Sequence, residues 1–235
     1  WVITTQGNVA CSGDIRTLLD YSDPEYTDMG TYCFSYLFNN CTSLTAAPDL
    51  PATLLAYSCY SYMFNGCTSL TMAPELEATA LSRCCYQCMF NGCTSLTTAP
   101  ALWATSLAEE CYSGMFQNCT NLTTAPALPA TSMAPSCYSY MFYGCRSLTT
   151  APALPATSLA TYCYEYMFSG CTSLTTAPEL PATTLAGFCY SSMFKFCTGI
   201  RLSTEQTAEY SIPYSIPKEG TGTMGSNSLT DMFTG

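Results

Sequence analysis

The chain contains no histidine, only two tryptophans and only six basic residues, and charged side chains make up 9% of its 235 residues. Without imidazole there is no Ser-His or Cys-His nucleophilic pair and no ordinary neutral-pH base, which leaves carboxylates as the acid-base candidates. The six cations, Arg16, Arg83, Arg146, Lys195, Arg201 and Lys218, are scattered against a formal net charge of −10. Such a surface repels a phosphate backbone and an anionic membrane, so nucleic-acid binding is set aside. Long apolar runs are also missing. Pro, Thr, Ser or Gly interrupts every hydrophobic stretch, well short of the roughly 18 residues that a membrane helix needs. The sequence opens at Trp1 with neither a basic region nor an apolar leader, so an export signal is expected outside these residues or already removed.

Apolar residues are plentiful at 48%, enough for a substantial core. They are arranged periodically. The phrase MFNGCTSL stands at 63–70 and again at 89–96, and its cysteine recurs every 26 residues at Cys41, Cys67, Cys93, Cys119, Cys145, Cys171 and Cys197. Counting that cysteine as slot 1, the unit reads C-T-S-L-T-T-A-P-x-L-P-A-T-x-L-A-x-x-C-Y-x-x-M-F-x-G. A further unit is placed at 15–40 by Leu18, Met29, Cys33, Phe34 and Phe38, giving seven units over 15–196. A period of this size predicts a solenoid, in which each unit covers the apolar face of the one before.

Within a unit the threonine-rich slots around LTTA predict a short strand that stops at the proline of slot 8, since proline has no N–H for a ladder. Stacked units would then form a parallel sheet with strands ~4.8 Å apart. In the second half, apolar residues at relative spacings of 0, 4, 5, 8 and 9 predict a short helix or 3-10 segment. Threonine would cap its start, and Gly66, Gly92, Gly144 and Gly170 would mark its end. The expected fold class is an α/β solenoid with strands on one side and helical segments on the other. Residues 1–14 are read as an N-terminal cap. Residues 197–235 are read as a last unit or C-terminal cap carrying a 13-residue insertion that includes the doubled YSIP.

Fourteen of the 17 cysteines fall in two columns, slot 1 and slot 19. If eight helical residues separate Cys33 from Cys41, the two lie ~12 Å apart along the axis, too far for a disulfide. Buried free thiols, acting as small hydrophobes, are preferred over serial disulfides. A metal site has little support, because the CxxC of Cys85 and Cys88 has no second pair at zinc spacing. The off-column Cys11, Cys84 and Cys88 are the candidates for exposed or reactive thiols, with local packing the preferred explanation for them.

Four residues depart from the repeat's own consensus in neighbouring units: Asp49 and Glu75 at slot 9, Glu77 and Trp103 at slot 11. Stacking would bring Asp49 and Glu75 about 5 Å apart, near the separation used by retaining glycosidases. An aromatic beside carboxylates also suits sugar, peptide or Ca²⁺ binding, while drift at solvent-facing slots accounts for the same residues without any ligand. Tyr60, Tyr86, Tyr112, Tyr138, Tyr164 and Tyr190 share slot 20 and are expected as half-buried wall residues. Tyr36, Tyr62, Tyr140 and Tyr166 share slot 22 with Cys88, Gly114 and Ser192. A slot so permissive is expected to be exposed, and exposed tyrosine suits recognition.

The strand followed by M-F-x-G-C-x-x-L, in phase over roughly residues 15–200, resembles the BspA-like leucine-rich repeats of bacterial surface proteins. It departs from many relatives in using Ala-Pro-x-Leu-Pro where they carry larger aliphatic residues. The resemblance implies a non-catalytic surface or secreted binding protein, with host proteins, bacterial proteins or glycans as partners and no cofactor. The alternative is a structural spacer or a phage-tail component. The candidate ligand-binding residues are Asp49, Glu75, Glu77, Trp103, Tyr36, Tyr62, Tyr140 and Tyr166.

Overall fold

The computed structural model describes residues 7–19, 29–200 and 223–234. Its repeating element is the second half of the unit, slots 18 to 26, where every second N–H leaves its own coil. Phe64 donates to the carbonyl of Met89, Phe90 to Met115 and Phe116 to Met141, all at 2.9–3.0 Å. The N–H groups between them turn back on the chain: Met63 donates to Tyr60, and Asn65 to Tyr62. The result is a run of overlapping turns tied laterally to the next coil.

These bonds leave no room for the expected helix, and the described residues contain only one helical piece, the 3-10 turn Ile15–Leu18. Two features remove the helix. Half of the N–H groups are committed to the neighbouring coil, and every fourth residue adopts positive φ, as at Ser58, Tyr62 and Gly66 or Ser136, Tyr140 and Gly144. Left-handed residues interrupt a right-handed helix. Gly66, Gly92, Gly144 and Gly170 are therefore left-handed turn positions, not helix caps.

The expected sheet is also reduced. β1 (Val9–Ala10) pairs in parallel with β2 (Leu44–Ala46), and β3 (Thr184–Leu185) with β4 (Thr223–Met224). Elsewhere the coils meet in single parallel bridges, among them Leu50 with Leu76, Thr98 with Thr124, and the chain Ser106, Ser132, Ser158, Thr184. Prolines at slots 8 and 11 withhold the N–H groups that a longer ladder requires. Threonine hydroxyls supply some of the missing links: Thr123 Oγ donates to the Thr97 carbonyl at 3.2 Å.

The interior consists of like residues on like residues. The slot 4 leucines, Leu44 to Leu174, and the Met-Phe pairs from Met63–Phe64 to Met193–Phe194 are buried, as are the slot 10 leucines. Phenylalanine rings at slot 24 stack from Phe38 through Phe194 onto Phe233 at 5.4–5.8 Å. Tyrosines at slot 20 are fully buried, not half-buried, each within 1% of complete exclusion. All 17 cysteines are free. At slot 1 each thiol from Cys67 to Cys197 donates to the carbonyl of the slot 24 phenylalanine one coil back, for example Cys119 to Phe90 at 3.1 Å. Cysteine at this slot is thus a small apolar donor between coils as well as a filler.

The two ends depart from the simple period. Ile15, expected at slot 1, pairs instead beside slot 9: its N–H donates to the Asp49 carbonyl, and Asp14 bridges Asp49. Val9 and Ala10 occupy the place beside Leu44 and Ala46, and Leu18 is 54% exposed, not inward. The first half of the first coil therefore starts earlier in the sequence than a strict 26-residue count places it, while Phe34 and Phe38 are in step with Cys59 and Met63. At the other end Phe194 donates to Met232 and Ser192 to Thr230, so the Met232–Phe233 pair stacks on its counterparts 13 residues later than the period. The doubled YSIP lies outside the described residues.

Candidate binding face

Along slots 9 to 12 side chains alternate outward and inward. Asp49, Glu75 and Glu77 are exposed and Trp103 is 59% exposed, while Leu50, Leu76, Leu102, Ala52, Ala78 and Ala104 are buried. The Leu50–Leu76 bridge sets Asp49 and Glu75 in adjacent coils on one face, with Glu77 beside them. Trp103 lies in the next coil, and the Thr98–Thr124 and Ser106–Ser132 bridges hold it alongside the coil of Pro129. Among the described residues none of the three carboxylates has an ion pair. The face is open, so neither Asp49 nor Glu75 sits in the water-excluding cleft that a general acid needs.

The face continues into a feature that the sequence reading missed. Ala125, Pro126, Ala127, Leu128 and Pro129 line a groove of about 440 Å³ with Pro152, Ala153 and Pro155 of the next coil. The same Pro152, Ala153 and Pro155 border a second groove of about 410 Å³ against Pro178 and Pro181. Its signal lies in the repeated APALP, where two prolines bracket an exposed alanine and so do more than stop a strand.

The slot 22 tyrosines lie apart from this face, on the run of turns. All four have positive φ, between 53° and 60°. Tyr36 stacks on Tyr62 and Tyr140 on Tyr166, each pair at 4.8 Å. Tyr36 is 46% exposed, but Tyr62, Tyr140 and Tyr166 are half-buried, which corrects the expectation of an exposed column. The slot varies because it is left-handed, a conformation that glycine and small polar residues adopt at least cost. Burial, then the neighbouring Glu165, raises the Tyr140 hydroxyl to about 12.

Between the tyrosine pairs lies a polar cluster. Arg83 reaches Glu109 at 3.3 Å and Glu110 at 3.5 Å, and Gln87 donates to Glu110 at 3.0 Å. Cys84 is locally packed, not exposed: it is buried against Glu110 Oε2 at 3.3 Å, and burial first, then Glu110, lifts its thiol to about 11. Cys85 is fully buried whereas Cys88 stands half-buried on the run of turns at positive φ, so the CxxC does not converge on one point. Among the described residues no three His, Cys, Asp or Glu gather as a metal site, and no helix is long and apolar enough to cross a membrane.

The profile of BspA-type leucine-rich-repeat regions, six copies long, matches residues 25–132 and 109–206. The chain belongs to the BspA-type leucine-rich-repeat family. The crystal structure of the T. pallidum leucine-rich-repeat protein TpLRR is similar at 20% identity over 74% of this chain and 72% of that one, with a TM-score of 0.42. A leucine-rich cell surface protein of Faecalibacterium prausnitzii A2-165 is similar at 16% identity over 81% of this chain and 58% of that one, with a TM-score of 0.38. None of the curated proteins matches the sequence. The BspA-type assignment covers the coils that carry the face, from Asp49 through Trp103 to the prolines.

Proposed function

We propose that this chain is a non-catalytic binding module of the bacterial cell surface or secreted space, presenting the slot 9 to 11 face to a protein or glycan. One observation carries the reading. The interior columns hold their consensus coil after coil, whereas the consensus is broken on the surface at Asp49, Glu75, Glu77 and Trp103, all exposed and in consecutive coils. A large aromatic left 59% exposed where other units carry proline adds no core, and binding surfaces are enriched in such residues. The half-buried tyrosine pairs on the turns offer a second, less accessible surface.

The repeat supplies its own control for the test. Alanine at slot 9 and proline at slot 11 are native to other units, so the variant D49A/E75A/E77P/W103P replaces the patch with residues this fold already accommodates. A glycan and matrix-protein binding screen should show at least one ligand for the native chain, with its signal reduced at least about tenfold in the variant. A screen without ligands would favour the spacer reading. A ligand held equally by the variant would move the site elsewhere.

A further inference from the structure

We propose that the acidic patch and the adjoining proline groove form one track, and that its occupant is an extended cationic peptide segment. This deepens the binding reading above and rests on it. The track begins at Asp49, passes Glu75, Glu77 and Trp103, and enters the groove lined by Ala127, Pro129, Ala153 and Pro155. Four coil steps of ~4.8 Å give a length of ~19 Å, which an extended chain spans in about six residues. Pro178 and Glu179 already engage other groups and lie outside the track.

Charge selects the occupant. Between slots 5 and 14, no unit from Cys41 to Phe196 contains lysine or arginine. On the coil beside Asp49, Arg16 is engaged by Asp14 at 2.6 Å, and among the described residues none of the three carboxylates has an ion pair. A guanidinium or ammonium group meets them with complementary charge, and Trp103 beside them offers a ring face to the same cation. Hydrogen-bonding capacity selects in the same direction: prolines at slots 8 and 11 contribute carbonyl acceptors and no N–H donors. An occupant rich in donors fits this surface, and its apolar side chains fit the Ala-Pro groove. Addition of a strand to a sheet edge is not the mode, because the track runs across the coils and offers few backbone donors. A neutral glycan could rest on Trp103 but would make no use of the carboxylates.

The test uses the whole chain and a fluorescein-labelled octapeptide with two arginines at one end, followed by alanine, leucine and proline. A matched peptide carries two glutamates in place of the arginines. Fluorescence anisotropy should show saturable binding of the arginine peptide only, weakening as salt is raised. Affinity should fall at least about tenfold on D49A/E75A/E77P and also fall on Ala127→Gln, which fills the groove while the carboxylates stay in place. Circular dichroism should show the same fold for all variants. Equal binding of the two peptides, or unchanged affinity in both variants, would overturn the inference. If no peptide binds but a glycan does, and only W103P abolishes it, the cationic-peptide track is wrong while the broader binding reading stands. If neither class of ligand binds, both fall together.

Discussion

At slot 20 Phe34 and the tyrosines from Tyr60 to Tyr190 stack ring on ring at 5.7–6.0 Å with planes within 11° of parallel. The hydroxyl of Tyr60 is buried without a hydrogen-bond partner. An orphaned buried hydroxyl costs about 1–3 kcal/mol, and Phe34 shows that the slot accepts phenylalanine. Tyr60→Phe should therefore raise the free energy of unfolding by about 1 kcal/mol, read as a higher urea midpoint at unchanged slope. A lower midpoint would mean that the hydroxyl has a partner. The same scale explains the slot 1 cysteines. Serine would keep the donor but lose apolar burial, and alanine would lose the bond; the thiol supplies a weak donor and a small apolar volume together.

At the scale of the element, the run of turns has narrow steric limits. Gly114 has φ of +61°, and a Cβ placed there would lie 2.8 Å from Cys88 Sγ in the preceding coil. Gly114→Ala should lower stability by about 1–2 kcal/mol. Adding Cys88→Ala should recover the steric part and leave the backbone part, a partial rescue visible in a double-mutant cycle of denaturant melts. This element also shows where sequence reading succeeded and where it failed. The inward positions, Leu44, Cys59, Met63 and Phe64 among them, were legible because burial is written in residue type and period. The helix was not a sound inference, because a left-handed residue every fourth position, at Ser58, Tyr62 and Gly66, repeats apolar residues at the same interval of four as a helix. Only dihedral angles and the destination of each N–H separate the two, and residue type reports neither when tyrosine and cysteine stand at positive φ. The candidate face was half legible: Asp49, Glu75, Glu77 and Trp103 announced themselves by breaking consensus, whereas the groove is made of consensus residues and so drew no notice.

At the scale of the molecule, the interior is a set of continuous thiol and aromatic columns, which ties stability to pH. Burial raises the thiols of Cys59, Cys67 and Cys137 to about 12, and those of Cys33 and Cys189 to about 11, from 9.0. Well below pH 9 the thiols are protonated whether the chain is folded or not, and stability is independent of them. Above it the unfolded chain ionises while the folded chain must hold its protons, so stability falls as pH rises from about 9 towards 12. Buried tyrosines such as Tyr86 shift in the same direction through desolvation and steepen the loss. Far-UV circular dichroism against pH should be flat through pH 8 and show cooperative unfolding within that alkaline window. The surface presented by this interior is the slot 9 to 11 face, whose geometry depends on every coil lying in step with its neighbours.

That register is open to direct measurement by NMR, through scalar couplings transmitted across hydrogen bonds in the deuterated, ¹³C,¹⁵N-labelled chain. Stacked coils predict a coupling from the amide nitrogen of Tyr86 to the carbonyl carbon of Cys111 and from Phe90 to Met115, alternating with turn couplings from Gln87 to Cys84 and from Met89 to Tyr86. Couplings from each of these amides to the carbonyl four residues before it would show a helix in place of the turns and would contradict the stacked register.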